Sequence, residues 1–357
     1  MAGAILAPSI TIPSIIDSPS VWRGADMSKR SDWIYRLNAE EIAEIDAAYR
    51  QLVARGIALN DIERENFPLP RFAKIAARAQ EAIENGPGIF LIRGFPTQNY
   101  EMLALRMIYW GMGKYLGTAV TQSSDGDLLG DVRDASFDIN TKTGRGYRSA
   151  QELTFHCDSA DVTALFVLRT AMTGGVSGFA SSIAVHNEVV RRDPNLAAIL
   201  YQPFYWSLQG QEAPGEAPYY QQPVFHMHDG YFALRFVRAQ IYGAEKFAGA
   251  PPLSPEQRAA LDLLSEVADG DEFSFRMMLA PGDLEILNNH IAMHARTEFK
   301  DNSVPDTNRH LLRLWLSMPN SRPLSPLMSY IYRDQRPGVV RGGFRAYTGA
   351  RVHETPR

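Results

Sequence analysis

A chain of 357 residues with 45% hydrophobic and 21% charged residues is long enough to bury a large core, which excludes a disordered or fibrous protein. The formal net charge of −4 arises from interspersed acids and bases, so neither nucleic acid nor anionic lipid is an expected partner. A single cysteine excludes an intrachain disulfide and a Cys-rich zinc site, and no apolar run reaches spanning length, so a cytoplasmic protein without a membrane partner is expected.

The first elements are helical. In LNAEEIAEIDAAYRQLVARG, Asn38 and Glu41 form a capping-box pattern, Ile42, Ile45, Tyr49, Leu52 and Val53 recur at helical spacing, and Gly56 ends the run. A second helix is expected over 70–85, with Phe72, Ile75, Ala79 and Ile83 on one face. After Gly86-Pro87-Gly88 the short apolar run IFLIRGF reads as a buried strand, and YEMLALRMIYWGMGKYLG returns to helix. Between 119 and 150 the chain is rich in Gly, Asp, Ser and Arg, a composition suited to loops that order over a ligand.

Strand patterns dominate from 151 to 246, in DVTALFVLR, GFASSIAV and PVFHMHDGYFALRFVR, interrupted by a helix over 184–200. A further helix over 254–268 has Ser254 as its cap, Pro255 at the first helical position and Gln257 at the third. Phe273, Phe275, Met277 and Leu279 then alternate as on a strand, and RHLLRLWLSM is the last strand pattern. Many strands, a few covering helices and no βαβ rhythm predict an α+β protein built on an antiparallel sandwich or barrel.

The chemistry-bearing residues begin at TFHCDSA. On a strand, His156 and Asp158 would leave the same face and could hold adjacent positions of one metal ion, while Cys157 would point away as a packing residue. Such a pair is commonly structural, so further ligands are needed. His226 and His228 share a face of a strand pattern, and His290 and His294 would converge only on a helix, whereas PGDLEILNNH reads as strand and turn. Arg309 follows His294, and Arg313 lies on the same strand face as Arg309. Two guanidiniums aimed into a sheet interior call for anions there. Two histidines and one carboxylate would leave three positions of an octahedral iron open.

Five segments, GIFLIRGFP, ELTFHCDSADVTALFVLR, GGVSGFASSIAVHNEVV, PGDLEILNNHIAMHARTEF and RHLLRLWL, together resemble the taurine dioxygenase and TfdA-like family of Fe(II)- and 2-oxoglutarate-dependent dioxygenases, over residues 89–317. The resemblance implies a double-stranded β-helix core, jelly-roll or cupin-like, with flanking helices. The expected organisation is an N-terminal helical packing segment (1–88), the core (89–320) and a C-terminal extension (321–357) that closes over the active site. It implies Fe(II), 2-oxoglutarate and O2 as cofactors, His156, Asp158 and His294 as iron ligands, and Arg309 as the anchor of the distal carboxylate of 2-oxoglutarate. Ser177 stands where the family often has a threonine sharing that carboxylate, with Ser181 and Ser182 as neighbouring alternatives. Arg313 would support the cosubstrate or meet an anionic group of the substrate. Asp158, in place of a small residue, disfavours halogenation.

The implied reaction oxidises an unactivated C–H bond, by hydroxylation, in a small polar, carboxylate-bearing metabolite such as an amino acid, releasing succinate and CO2. Desaturation, oxidative cyclisation or a reaction without 2-oxoglutarate on the same scaffold is the nearest alternative, and a non-catalytic jelly-roll binding protein is the alternative of another class. Residues expected near the substrate are Leu153, Phe155, Gln122, Asp131, Arg235, Arg238, Arg341 and Phe344. A homodimer is a family expectation.

Overall fold

The computed structural model describes residues 14–135, 148–302, 304 and 307–356, so 136–147 of the Gly- and Arg-rich stretch lie outside the described residues. The N-terminal helices form where their caps place them. The Glu41 N–H donates to the Asn38 side chain (3.0 Å) and the Asn38 N–H to the Glu41 carboxylate (2.9 Å), closing the box at the head of Ala39–Ala54. Pro70–Asn85 buries Phe72, Ile75, Ala79 and Ile83 in a core shared with Met102–Leu116.

Those helices cover the outer face of a seven-stranded sheet. Its order is Ile34–Arg36, Ile89–Arg93, Leu284–Asn288, Val162–Arg169, His310–Ser317 and Thr118–Val120, with Leu129–Val132 as a further partner of His310–Ser317. The Ile34–Arg36 pairing is parallel and the others are antiparallel. A four-stranded antiparallel sheet runs Ser274–Met277, Ser177–Ser181, Ala292–Arg296, Leu153–His156.

Strand alternation divides the side chains between core and cavity. On His310–Ser317, Leu312, Leu314 and Leu316 pack against the helices, whereas Leu311, Arg313 and Trp315 line a cavity of about 540 Å³ whose opposite wall is the smaller sheet. Leu284 and Ile286 likewise join the helical core, and Glu285 between them faces the cavity.

One segment departs from the sequence pattern. GFASSIAV is strand only to Ser181, because the Ser181 hydroxyl accepts from Ala184 N at 3.0 Å and starts the helix Ser182–Arg192. The single helix expected over 184–200 is broken at Asp193, whose carboxylate caps a new helix, Pro194–Leu200, with proline at its first position.

Three histidines outside the cavity are buried and neutral. Burial lowers the pKa of His186 to about 4, of His226 to about 3 and of His290 to about 4; Asp161 only partly offsets the effect at His290. In the unfolded chain these groups titrate near 6.5, so between roughly pH 6.5 and 4 the unfolded state binds more protons and stability falls as the pH falls. The metal-free protein is therefore expected to melt at a markedly lower temperature at about pH 5 than at about pH 7.5, in calorimetric scans at constant ionic strength. A melting temperature that rises on acidification would contradict neutral burial of these rings.

Candidate active site

His156 ends the strand Leu153–His156 and pairs directly with His294 on Ala292–Arg296, so strand register alone brings the two imidazoles together. Their Nε2 atoms lie 3.1 Å apart. The Nδ1 of His156 is 2.8 Å from the Thr154 carbonyl, which can only accept, so Nδ1 carries the proton and Nε2 presents its lone pair. Burial, then the neighbouring His294, lowers the His156 pKa to about 3, keeping the ring neutral as a ligand must be.

Asp158 reaches the same point by another route. The strand stops at His156, and Asp158 lies in the following loop, whose N–H is held by the Asn289 side chain at 2.9 Å. Thr163 Oγ1 (2.8 Å), Trp315 Nε1 (2.8 Å) and Arg313 Nη1 (3.3 Å) all donate to Oδ2. Burial opposes ionisation of this carboxyl, but Arg313 and the two imidazoles outweigh it and hold the group well below the usual carboxylate range. His156, Asp158 and His294 each offer a ligand atom within 4.8 Å of the others, the one such group of three among the described residues. Cys157 between them is wholly buried, its thiol toward the Ala292 carbonyl and its pKa pushed up to about 12 by burial, as befits a packing residue.

Arg309, immediately before His310–Ser317, lines the same cavity at 6% exposure, and its Nη1 has no hydrogen-bond partner among the described residues. Burial lowers its pKa to about 10 even though Asp301 and Glu285 favour the charged form. Gly175 (φ +71°) lets the backbone pass close by: a Cβ there would stand 3.1 Å from Arg309 Nε. Ser177 lines the cavity too, whereas Ser181 serves as the helix cap and Ser182 is buried outside it.

Several residues expected at the substrate lie elsewhere. Gln122 is buried behind Arg313, accepting from its Nε at 2.8 Å and donating to its carbonyl at 2.8 Å, so it clamps the arginine. Arg341 is 1% exposed, paired with Asp161 at 2.8 Å and bonded to the Arg322, Gln335 and Arg336 carbonyls; it is a structural tie outside the cavity wall. Phe155 points into the core against Gly178, because alternation sends it to the face opposite His156. Leu153 nonetheless reaches the cavity, since a register irregularity falls between the pairs His294–His156 and Arg296–Leu153. Asp131 is locked to Arg106 at 2.7 Å and His310 at 2.8 Å.

Arg235, Arg238 and Phe344 do line the cavity. Phe344 lies 5.8 Å from Trp315, and it gets there because Gly342 (φ +87°) and Gly343 (φ +72°) take a path on which a Gly343 Cβ would meet the Thr121 carbonyl at 2.5 Å. The competing histidines do not converge: His290 binds Asp161 and His226 binds the Pro223 carbonyl. Three residues went unread in the sequence. Asn289 clips the Asp158 loop; Arg296 lines the cavity with all three nitrogens on backbone carbonyls; Glu285 faces His294. Arg296 could have been found, being two residues past His294 on one strand face.

Two imidazoles and one carboxylate converge at one edge of the cavity, a donor set of the kind found in non-haem iron oxygenases. The donor set suits Fe(II), and the unmatched Arg309 guanidinium suits a dicarboxylate cosubstrate. Residues 51–315 match the taurine catabolism dioxygenase TauD, TfdA family, and the chain belongs to it. It is a non-haem iron dioxygenase that uses Fe(II), 2-oxoglutarate and O2.

Among its relatives, FR-33289 synthase of Streptomyces rubellomurinus is 33% identical over 315 residues, covering 87% of this chain and 92% of that protein. The fold is shared with an asparagine oxygenase solved with Fe(II), 3-hydroxyasparagine and succinate (TM-score 0.61, 19% identity, 80% of this chain and 93% of that one). It is shared also with the non-heme iron oxygenase OrfP bound to Fe and alpha-ketoglutaric acid (TM-score 0.58, 18% identity, 80% and 94%). No described helix is long and apolar enough to cross a membrane.

Proposed function

We propose that His156, Asp158 and His294 hold Fe(II), that Arg309 with Ser177 receives the distal carboxylate of 2-oxoglutarate, and that the enzyme hydroxylates a C–H bond of a small, polar, carboxylate-bearing metabolite, an amino acid or derivative. The observation that carries this reading is one cavity holding both the converging triad and a buried guanidinium with an unmatched nitrogen. Iron and 2-oxoglutarate supply the oxidising power when bound, the cosubstrate leaving as succinate and CO2.

The chain's own residues do the rest. Thr163, Trp315 and Arg313 donate to the Asp158 carboxylate and hold it toward the two imidazoles, its Oδ2 4.0 Å from His294 Nε2. Arg313, clamped by Gln122, supports that carboxylate, and the apolar surfaces of Trp315, Phe344 and Leu311 exclude water from the reacting bond. Arg235, Arg238 and Lys246 line the cavity, Arg238 paired with Asp262 at 2.5 Å and Arg235 bonded to the Cys157 carbonyl, Ser159 and Gln240, and this lining is compatible with a substrate bearing an anionic group. The asparagine and arginine-derived ligands of the structural neighbours are in keeping with an amino-acid substrate.

The two facing antiparallel sheets support a jelly-roll core over 89–320, with the described part of 1–88 joined to it through the pairing of Ile34–Arg36 with Ile89–Arg93. The extension 321–357 acts as a fixed strap that presents Phe344 to the cavity, since Val352 beyond it is tied to Asn60 at 2.9 and 3.0 Å. Succinate release measured across a panel of amino acids and small acids tests the substrate class. One or more α-amino acids should raise succinate and yield a product heavier by one oxygen; a panel in which none exceeds the rate with 2-oxoglutarate alone would reject the amino-acid assignment.

A further inference from the structure

The cavity contains a carboxylate that neither the ligand set nor the cosubstrate reading employs. Glu285 is 3% exposed on the inner face of Leu284–Asn288, flanked by Leu284 and Ile286, which point the other way into the helical core. Its Oε2 has no hydrogen-bond partner among the described residues. Burying such a group unmatched is costly, and a chain with apolar neighbours at the adjacent positions had Leu or Val available at no such cost.

The position of Glu285 relative to His294 is specific. Its Oε1 is 3.8 Å from His294 Nδ1, while His294 Nε2, on the opposite edge of the ring, faces His156 and Asp158. Glu285 therefore stands behind the imidazole, outside the group of metal-ligating side chains. A neutral histidine that would coordinate through Nε2 keeps its proton on Nδ1, and an acceptor for that N–H fixes the tautomer and the orientation of the ring. His156 has such an acceptor in the Thr154 carbonyl at 2.8 Å.

We infer that Glu285 is a positioning residue: it accepts the Nδ1–H of His294, closing from 3.8 Å to hydrogen-bond length as the ring takes up the metal, and so completes a carboxylate–histidine–iron relay. This role rests on the iron reading above. Glu285 also lies within electrostatic range of Arg309, so removing its charge leaves 2-oxoglutarate binding intact or tighter. Metal and cosubstrate affinity thus move independently, which a collapse of the cavity would not produce.

The test is Fe(II) affinity of the full chain under anaerobic conditions, by competition with a chromophoric chelator, for wild type, Glu285→Leu, Glu285→Gln and His294→Ala, with metal-free melts confirming that each is folded. Glu285→Leu should bind Fe(II) about 10- to 100-fold more weakly, the usual cost of losing an outer-shell partner, and Glu285→Gln, whose amide oxygen still accepts, should recover most of that loss. At saturating Fe(II), 2-oxoglutarate should bind both Glu285 variants at least as tightly as it binds wild type. Glu285→Leu with wild-type Fe(II) affinity, or Glu285→Gln as weak as Glu285→Leu, overturns the hydrogen-bonding role while His294→Ala still reports the iron site. Unchanged Fe(II) affinity in all variants, His294→Ala included, removes the iron reading and this role with it.

Discussion

Replacing Arg309 with Met is expected to stabilise the ligand-free protein and at the same time to weaken its binding of 2-oxoglutarate severely. The Arg309 side chain is 6% exposed with one nitrogen unmatched, its pKa is lowered by burial to about 10, and its guanidinium lies over the Phe299 ring, 5.0 Å from the centroid. Exchanging a poorly compensated buried charge for an apolar side chain of similar reach should raise stability by about 1–3 kcal/mol in urea melts. Binding should move the other way. Truncating one partner of a buried charge pair costs about 2–5 kcal/mol, so the KM for 2-oxoglutarate should rise by between about 30-fold and several thousandfold. Opposite signs in the two measurements separate a binding residue from a scaffold residue. A variant that is less stable yet binds 2-oxoglutarate normally would show that Arg309 serves the fold.

His294→Ala carries the other large effect. The ring sits at the cavity edge with 7% exposure, so its loss enlarges an existing hollow and should cost on the order of 1 kcal/mol of stability. Of the three proposed ligands, His156 and Asp158 remain. Turnover should fall by well over ~100-fold, beyond the range that outer-shell changes produce, and the weak visible charge-transfer band formed anaerobically by Fe(II) and 2-oxoglutarate should disappear. Persistence of that band in the folded variant would place the metal elsewhere. The urea melts and the charge-transfer band need no substrate, so each prediction has a readout that does not wait on the identity of the substrate.

The elements that carry the site were legible for local reasons. Asn38 and Glu41, or Ser254 and Gln257, announce a helix start within four residues, and the alternation in RHLLRLWLSM announces a strand that shows Arg313 and Trp315 to one side and Leu312 and Leu314 to the other. Misplaced residues failed where a local rule met a distant contact. Phe155 and Leu153 were read as equals, but a register irregularity against Arg296 turns only Leu153 to the cavity. Arg341 and Gln122 looked like ligand groups because arginine and glutamine so often are; each is instead consumed by a buried partner, Asp161 or Arg313, far away in sequence.

Taken by itself, the amino-acid order determined the donor chemistry: which histidines, carboxylate and arginines the chain has, at what strand spacing, with one cysteine too apolar in its setting to compete. The tertiary structure alone decided their assembly. It set His294 in register against His156 and turned Asp158 back from the end of its strand under Thr163 and Trp315. It also left Arg309 short of a partner and put Glu285 behind the His294 ring. The physical reason is that periodicity specifies the face a side chain leaves from, whereas what it meets there depends on pairings between segments more than a hundred residues apart, whose contacts form only when the two sheets close over the cavity.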